Sequence, residues 1–184
     1  MQKAKIDVWG VGTKLITAYD HPALGAVYKI VSIEDYQGVM HDTIKLSNNA
    51  EKVSTPGKKQ VWRITSRAKG KSEGDYITFA DTDVNALEEI NMFHPTYTYI
   101  NKTVRDFDAV PLLVPIYDKG QLIYDLPSLD EIKAYATKEL DELWNEYKRV
   151  LNPQDYPVDL AKDVWDNKMT LIDNVRKKAH DLSE

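Results

Sequence analysis

Four residues near the start of the chain have the types and spacing of an anion-binding loop. They are Gly10, Val11, Gly12 and Thr13. The loop follows Ile6 and Val8, whose apolar alternation is typical of a strand. Glycine permits positive φ angles and close backbone approach, and successive backbone N–H groups can form a concave nest for phosphate oxygens. Because the Thr13 hydroxyl can add a donor, we predict a phosphate-binding loop, with a plain turn as the alternative.

The other titratable residues give weaker signals. The histidines are scattered and include no pair at helical i, i+4 spacing: His21, His41, His94 and His180. His94 precedes Pro95 in an aromatic neighbourhood, which favours a packed or hydrogen-bonded histidine over a catalytic one. Lys58, Lys59 and Arg63 would form a basic patch beside a phosphate or act as ordinary surface charge, and we favour surface charge.

The elements that must position the loop begin with a β-rich stretch. Four short segments are predicted strands, at residues 27–33, 43–46, 60–64 and 75–79. A turn at 68–71 joins the third strand to the fourth, and Pro56-Gly57 marks a turn before the third. This spacing predicts a small antiparallel sheet or barrel. Residues 81–110 are predicted to be irregular.

The C-terminal third has a β-hairpin signature followed by two helical patterns. Asp118-Lys119-Gly120 separates two apolar runs, which indicates a hairpin. Ser128 and Glu131 form a capping box at the start of a helix that we expect to run to Asn152-Pro153. Asp159 is the predicted cap of a second helix. Because five residues join the helices, we expect an antiparallel helical pair.

Composition excludes several classes of protein. The formal charge of −5 and the lack of a basic, aromatic-rich stripe argue against a general nucleic-acid binder. No apolar run reaches the roughly 18 residues of a membrane span, and the N-terminus lacks a signal peptide's apolar core. The absence of cysteine removes disulfides, thiolate metal ligands and a cysteine nucleophile, and is typical of a cytoplasmic protein.

Longer runs of residues resemble a known family over nearly the whole chain. They are Ile6–Thr13, Pro22–Gly25, Val27–Lys29, Ile44–Ser47, Pro56–Val61, Leu112–Ile116, Leu126–Leu129, Leu151–Pro153 and Tyr156–Leu160. At these positions the chain resembles bacterial nicotinate phosphoribosyltransferase. The runs are far more specific than the loop alone.

The resemblance implies the C-terminal part of an NAD-salvage enzyme. The family joins nicotinate to phosphoribosyl pyrophosphate, giving nicotinate mononucleotide and pyrophosphate, and couples this reaction to ATP hydrolysis. Its fold has a phosphate-binding (β/α) barrel and a second, partly β domain. The implied class here is α+β: residues 1–20 as the last barrel strand and phosphate loop, 21–110 as a mostly antiparallel β-rich lobe, and 111–184 as a β-hairpin with a helical hairpin.

The resemblance also assigns roles and partners. Thr13 matches the family's phosphoribosyl-contacting threonine, whereas the catalytic histidine and the nicotinate-holding residues lie in upstream segments that this chain lacks. We therefore expect no catalytic residue here and an inactive chain on its own. The implied partners are the remainder of the parent enzyme, its two substrates and a second copy in a homodimer, with no nucleic acid or membrane. ATP and Mg²⁺ would serve the parent enzyme, and no cofactor or metal is expected on this chain alone.

Two other interpretations stay open at this point. The chain could be a free-standing β-rich binding or assembly module in which the glycine segment is only a turn. It could also be a small nucleotide-binding enzyme, although Gly12-Thr13-Lys14 reverses the Lys-Thr order of a P-loop.

Overall fold

The computed structural model describes residues 8, 10, 12–19, 22–23 and 27–181. Residues 1–7 of the predicted barrel strand lie outside this range. The helices are α1 (Thr13–Ile16), α2 (Leu129–Glu142) and α3 (Lys162–Asp181), and Ala50–Lys52 and Val84–Ala86 form 3₁₀ turns. The strands are β1 (Ser32–Glu34), β2 (Met40–Asp42), β3 (Lys59–Ser66), β4 (Lys71–Phe79), β5 (Glu89–Phe93), β6 (Asn101–Arg105), β7 (Phe107–Pro111), β8 (Tyr117–Asp118), β9 (Gln121–Leu122) and β10 (Val158–Leu160).

A curled six-stranded sheet is the centre of the fold. Its strand order is β6-β5-β10-β4-β3-β7, and every neighbouring pair is antiparallel except β10 with β4. The two edge strands, β6 and β7, are consecutive in sequence and are separated only by Asp106, whose φ is +52°. One residue cannot span the width of a flat sheet whose strands lie about 4.8 Å apart. The sheet therefore curls until its edges approach each other.

The core fills the space that this curl encloses. Val104 from one edge and Phe107 from the other belong to the same buried cluster as Ile64 and Met92. Burial on this face follows the strand period, because alternate residues of β3, β4 and β5 are buried. The hydrophobic effect on one enclosed face thus holds both edges of the sheet together.

A 3₁₀ turn covers the free edge of β7. Val84 is fully buried in the core cluster. The Asn85 side chain donates to the Ala109 carbonyl oxygen at 3.0 Å and accepts from the Ala109 N–H at 3.2 Å. The amide side chain therefore takes the place of a neighbouring strand at the edge of the sheet.

Strand β10 carries the C-terminal segment into the middle of the sheet. Val158, Asp159 and Leu160 pair in parallel with Asp75, Tyr76 and Ile77 of β4, and Leu160 also pairs with Phe93 of β5. Segments 21–110 and 111–184 thus share one sheet and one core, and the predicted boundary between them falls within β7. Leu160 is 1% exposed and Asp159 is also buried, whereas Val158 at the start of the strand is exposed.

The helical predictions are correct in kind and wrong in extent. The capping box of Ser128 and Glu131 is present at the start of α2, but α2 ends at Glu142 and not near residue 151. Leu143 has extended backbone angles, and the Trp144 indole N–H donates to the Ser72 carbonyl oxygen at 3.0 Å. This contact draws the chain away from the helix axis.

The two long helices do not form the predicted direct hairpin, because β10 lies between them in sequence and in the sheet. Asp159 is a residue of β10 and not a helix cap. Helix α3 packs against β4 and β5 and buries Val164 and Lys168, whereas α2 buries none of its residues.

The strand predictions have mixed outcomes. The α+β class, the strands at 60–64 and 75–79, and the hairpin turn between β3 and β4 are confirmed. The hairpin around Lys119 and Gly120 is also confirmed, as β8 and β9. Of the strand predicted at 27–33, only residues 32 and 33 are in a strand, as part of β1. The strand predicted at 43–46 is wrong, because the strand that pairs with β1 is β2, which ends at Asp42. Residues 81–110, predicted to be irregular, contain β5, β6 and most of β7.

Gly57 is one of two described glycines, with Gly74, whose conformation and surroundings both exclude a side chain. Its φ is +86°, and a Cβ built there would lie 2.6 Å from Cε1 of Phe79 and 2.9 Å from Oδ2 of Asp42. Its N–H donates to the Val31 carbonyl oxygen at 2.8 Å. The predicted Pro56-Gly57 turn is therefore where the segment that carries β1 and β2 packs against the main sheet.

We expect Gly57→Ala to lower the free energy of unfolding by about 2–4 kcal/mol, because backbone strain and a steric clash add together. Gly120→Ala is the matched control, since Gly120 has a φ of +80° and nothing within 4 Å of the added Cβ. The control should cost about 1–2 kcal/mol. Urea unfolding of both variants measures the difference, and equal costs would contradict the predicted clash.

Candidate functional site

The predicted phosphate loop is exposed where the structure describes it. Gly10 and Gly12 have no atom within 4 Å of an added Cβ, and Gly12 is the N-cap of α1 with a φ of −114°. Val11 lies outside the described residues. Thr13 is the first residue of α1, and its hydroxyl makes no hydrogen bond to another described residue.

The geometry corrects one reason given for these glycines. Neither Gly10 nor Gly12 adopts a positive φ, so backbone conformation does not require glycine at either position. Close approach to the backbone is the remaining physical reason for glycine here, because a side chain would occupy the open space in front of the N–H groups.

The structure separates the three residues of the candidate basic patch. Lys59 Nζ donates to the backbone oxygens of Thr55 at 2.6 Å and Pro56 at 3.2 Å, and burial lowers its pKa. Arg63 is held by carboxylates, and Lys58 alone is exposed. Two of the three cations therefore stabilise the fold and do not form a surface for phosphate.

The histidines have individual partners where they are described. His41 Nε2 lies 2.7 Å from Asp35 in the β1–β2 hairpin. His94 Nδ1 accepts from the backbone N–H groups of Thr96 and Tyr97 at 3.1 and 2.9 Å, which supports the predicted hydrogen-bonded role. His21 lies outside the described residues. Among residues the structure describes, no group of three or more His, Asp and Glu side chains could hold a metal ion.

A polar network that the sequence did not predict links the sheet to the C-terminal segment. Arg63 on β3 bonds Asp75 on β4 through Nε at 3.0 Å, and it also pairs with Glu139 on α2. The Arg63 side chain is 20% exposed and that of Asp75 is 13% exposed, so water screens this pair weakly. The hydrogen bond to Asp75 is the main cause that raises the pKa of the guanidinium.

Tyr156 completes this network from the segment before β10. Its hydroxyl donates to Asp75 Oδ1 at 2.9 Å and lies 2.6 Å from the Ser72 hydroxyl, and the Arg63 guanidinium lies 5.7 Å from its ring centroid. Burial is the main cause that raises the pKa of Tyr156 to about 12. Every member therefore has a polar partner. We assign the network a structural role, since it joins β3, β4, α2 and the segment before β10.

Asp159 is the buried carboxyl that has no such partner. It is 6% exposed in the middle of the sheet, and no hydrogen bond joins its carboxyl to another described residue. Burial raises its pKa, while the charges of His94 and Lys102 act in the opposite direction. Its charged form is thus partly desolvated, although no oxygen of the carboxyl is completely buried without a partner.

Two clefts of about 410 and 460 Å³ flank Asp42. One lies between residues 42–44 and the end of α3, and the other lies between β2 and the end of β4. Asp42 itself accepts from the Asn167 amide at 2.7 Å. Neither cleft includes a residue of the predicted phosphate loop, so the structure does not join the loop to a described cavity.

Comparison with known proteins assigns the family. The family model described as "Nicotinate phosphoribosyltransferase C-terminal domain" matches residues 58–168, which is more than half of the chain. The chain belongs to this nicotinate phosphoribosyltransferase family. It is 52% identical over 183 residues to nicotinate phosphoribosyltransferase of Bacillus subtilis, a match that covers 100% of the chain and 37% of that protein.

More distant relatives belong to the same family. The human nicotinate phosphoribosyltransferase is 32% identical over 160 residues, covering 86% of this chain and 28% of that protein. The crystal structure of human nicotinic acid phosphoribosyltransferase aligns with a TM-score of 0.58 and 28% identity, covering 65% of this chain and 24% of that chain. The chain therefore spans about a third of the length of the nicotinate phosphoribosyltransferases it matches. In the part of the chain that is described, no helix is long and apolar enough to cross a membrane.

Two charged residues inside strands, Arg63 of the network and Asp159 outside it, carried a sequence signal that the strand predictions did not include. Arg63 stands between Trp62 and Ile64 within a predicted strand, and Asp159 stands between Val158 and Leu160. A charged residue inside a short apolar run is either on an exposed face or paired inside the fold. Sequence alone does not distinguish these cases, because the partners lie far away along the chain.

We expect Arg63→Met to lower the free energy of unfolding by about 3–5 kcal/mol, because Asp75 and Glu139 would lose their shared cation in a poorly solvated place. Arg67→Met is the matched control, in the turn that directly follows the same strand. Arg67 also pairs with two carboxylates, Asp106 and Asp108, but all three side chains are more than half exposed. The control should cost less than about 1 kcal/mol. Chemical unfolding measures both values. A similar loss of unfolding free energy for the two arginines would contradict the stabilising role assigned to Arg63.

We expect Asp159→Asn to raise the thermal midpoint at pH 7 by about 2–4 °C, the shift that about 1 kcal/mol produces in a domain of this size. Because the folded-state pKa is raised, the carboxyl stabilises fully below its unfolded pKa, and this contribution is lost as pH rises through the folded-state pKa. The gain from asparagine should therefore disappear near pH 3. Asp125→Asn, on an exposed loop, is the control.

Calorimetry at both pH values measures the thermal midpoints of the two variants. A lower midpoint for Asp159→Asn at pH 7 would show that the Asp159 carboxylate stabilises the fold.

Proposed function

We propose that the chain is the C-terminal part of a nicotinate phosphoribosyltransferase, which makes nicotinate mononucleotide and pyrophosphate from nicotinate and phosphoribosyl pyrophosphate with ATP hydrolysis. The 52% identity to the Bacillus subtilis enzyme over the whole chain carries this proposal. The proposal includes a homodimeric parent enzyme and a cytoplasmic location, and the lack of cysteine supports the location.

Within this reaction the chain contributes positioning. As pyrophosphate leaves, the ribose C1 develops positive charge, so both reactants must be held in line and the charges balanced. Gly10, Gly12 and Thr13 are exposed, and the Thr13 hydroxyl makes no hydrogen bond to another described residue, so a phosphate of phosphoribosyl pyrophosphate can approach them. In this role the segment anchors a phosphate and transfers no proton.

The proton-transferring and nicotinate-holding groups belong to the upstream part of the enzyme in this proposal. ATP and Mg²⁺ belong there too, because the described residues offer no carboxylate cluster that fits a divalent cation. We assign no reaction step in this chain to either group.

A hybrid enzyme tests the proposal directly. We define it as the Bacillus subtilis enzyme with its matching C-terminal part replaced by this chain. The hybrid should form nicotinate mononucleotide from nicotinate, phosphoribosyl pyrophosphate and ATP, whereas this chain alone should form none. A folded hybrid without activity, or steady product formation by the chain alone, would contradict the proposal and favour a different role, such as a free-standing binding module.

Within the hybrid, we expect Thr13→Ala to weaken phosphoribosyl pyrophosphate binding about 10- to 150-fold, the loss of one charge-assisted hydrogen bond of roughly 1.5–3 kcal/mol. Nicotinate binding should change little. Thr17→Ala is the matched control, because the Thr17 hydroxyl already donates to the Thr13 carbonyl oxygen at 2.8 Å. Isothermal titration of each ligand separately checks both variants. Unchanged phosphoribosyl pyrophosphate affinity in Thr13→Ala would identify the segment as a plain turn.

A further inference from the structure

A continuous segment before and within α2 leaves its large apolar side chains in solvent. Leu126 is 81% exposed, Leu129 is 66% exposed and Ile132 is 48% exposed. Tyr135 and Leu140, further along α2, are also more than half exposed. Single exposed apolar residues are ordinary, but a contiguous group on one element marks a surface that contacts something else.

Four apolar residues of α2 lie on one side of the helix. At 100° per residue, Leu129, Ile132, Ala136 and Leu140 fall within an arc of about 80°. Ala134 points to the opposite side. Such a stripe normally faces a core, because packing of the apolar face supplies most of the stability of a helix of this length. We call this set of residues, together with Leu126, the α2 stripe.

Polar contacts hold α2 in place and leave the stripe open. Glu139 pairs with Arg63 of β3 on the main sheet. Lys71 at the start of β4 donates to the Asp141 carbonyl oxygen at 2.5 Å, and Lys148 donates to the Leu140 carbonyl oxygen at 2.9 Å. The C-terminal half of α2 is therefore anchored on the sheet while none of its side chains is buried. The helix is therefore held in a fixed orientation with its apolar residues exposed.

The charge around the stripe argues against self-association through α2. Helix α2 contains Asp130, Glu131, Glu139, Asp141 and Glu142 but only Lys133 and Lys138 as cations. Two copies stacked through this helix would bring like charges together at the rim, which costs affinity. An apolar surface ringed by Lys and Arg fits this rim better.

We propose that the α2 stripe docks against the upstream, catalytic part of the same enzyme, on an apolar surface ringed by basic residues. This inference rests on the proposed function. The length of the relatives indicates what covers the α2 stripe. The chain corresponds to a C-terminal domain and to 37% of the Bacillus subtilis enzyme, so nearly two thirds of that enzyme lies outside the match and can supply the docking surface. Docking there fixes the curled sheet, through Arg63 and Glu139, relative to the part of the enzyme that carries out the chemistry.

Amide hydrogen exchange of α2 tests this docking without an activity measurement. In the hybrid enzyme, α2 amides should exchange at least about 10-fold more slowly than in the isolated 184-residue chain, because burial suppresses local opening. Ile132→Asp should abolish this protection. Ala134→Asp, which places the same charge on the opposite side of the same helix, should preserve it. In the isolated chain neither variant should change the thermal midpoint, since both sites are exposed.

The outcomes separate docking from the proposed function. Equal α2 exchange in the hybrid and the isolated chain would overturn the docking, even if the hybrid makes nicotinate mononucleotide. Protection that depends on Ile132 in an inactive hybrid would support the docking and contradict the proposed function. Protection that appears in the isolated chain as its concentration rises would identify a second copy as the occupant and overturn the proposal. An insoluble hybrid, with both parents soluble, would show that the two parts do not fit and would also overturn it.

Discussion

The one-residue link at Asp106 is the constraint on which the rest of the described structure depends. It joins the two edges of a six-stranded sheet, so the sheet must curl. The curl creates one enclosed apolar face, and side chains from strands distant in sequence meet there. The 3₁₀ turn with Val84 and Asn85 covers the edge, and α3 packs on β4 and β5. A flat sheet of the same strands would have two exposed edges and no enclosed core.

Charged and polar side chains join other elements of the fold to this curled sheet. Arg63 brings β3, β4 and α2 together, and Tyr156 adds the segment that leads into β10. Removing one partner of a buried ion pair is costly, because the other charge is left buried and uncompensated. Asp75 accepts hydrogen bonds from both Arg63 and Tyr156. The network therefore ties the segment before β10 to the sheet.

Local signals predicted the parts of the fold that local interactions decide. The capping box at Ser128, the β3–β4 turn and the Lys119-Gly120 hairpin need only neighbouring residues, and all three are present. Strand β5 has a clean alternation at Ile90 and Met92 but is short and lies next to aromatic residues, so its pattern was missed. The end of α2 was missed because Leu143 and Tyr147 continue a helical spacing while the indole of Trp144 bonds a distant strand.

Local sequence signals could not predict the pairing of strands that are far apart along the chain. Nothing in Val158–Leu160 indicates that these three residues form a strand between β4 and β5. Asp159 was predicted to be a helix cap because an aspartate before a helical pattern is typical of a cap, and the same local sequence also fits an aspartate in a buried strand. The family assignment was reached from sequence because it rests on many dispersed residue identities and not on any one contact. The role of residues 10–13 stays a prediction of the same kind.

The position of β10 sets the order in which this region can fold during synthesis. Strands β4 and β5 are made about 70 residues before the strand that fills the space between them. Until residue 160 has left the ribosome, each presents an unpaired backbone edge toward the other. At synthesis rates of about 5–20 residues per second, this exposure lasts for several seconds. The sheet can therefore be completed only late in synthesis, after both strand edges have been exposed for this time.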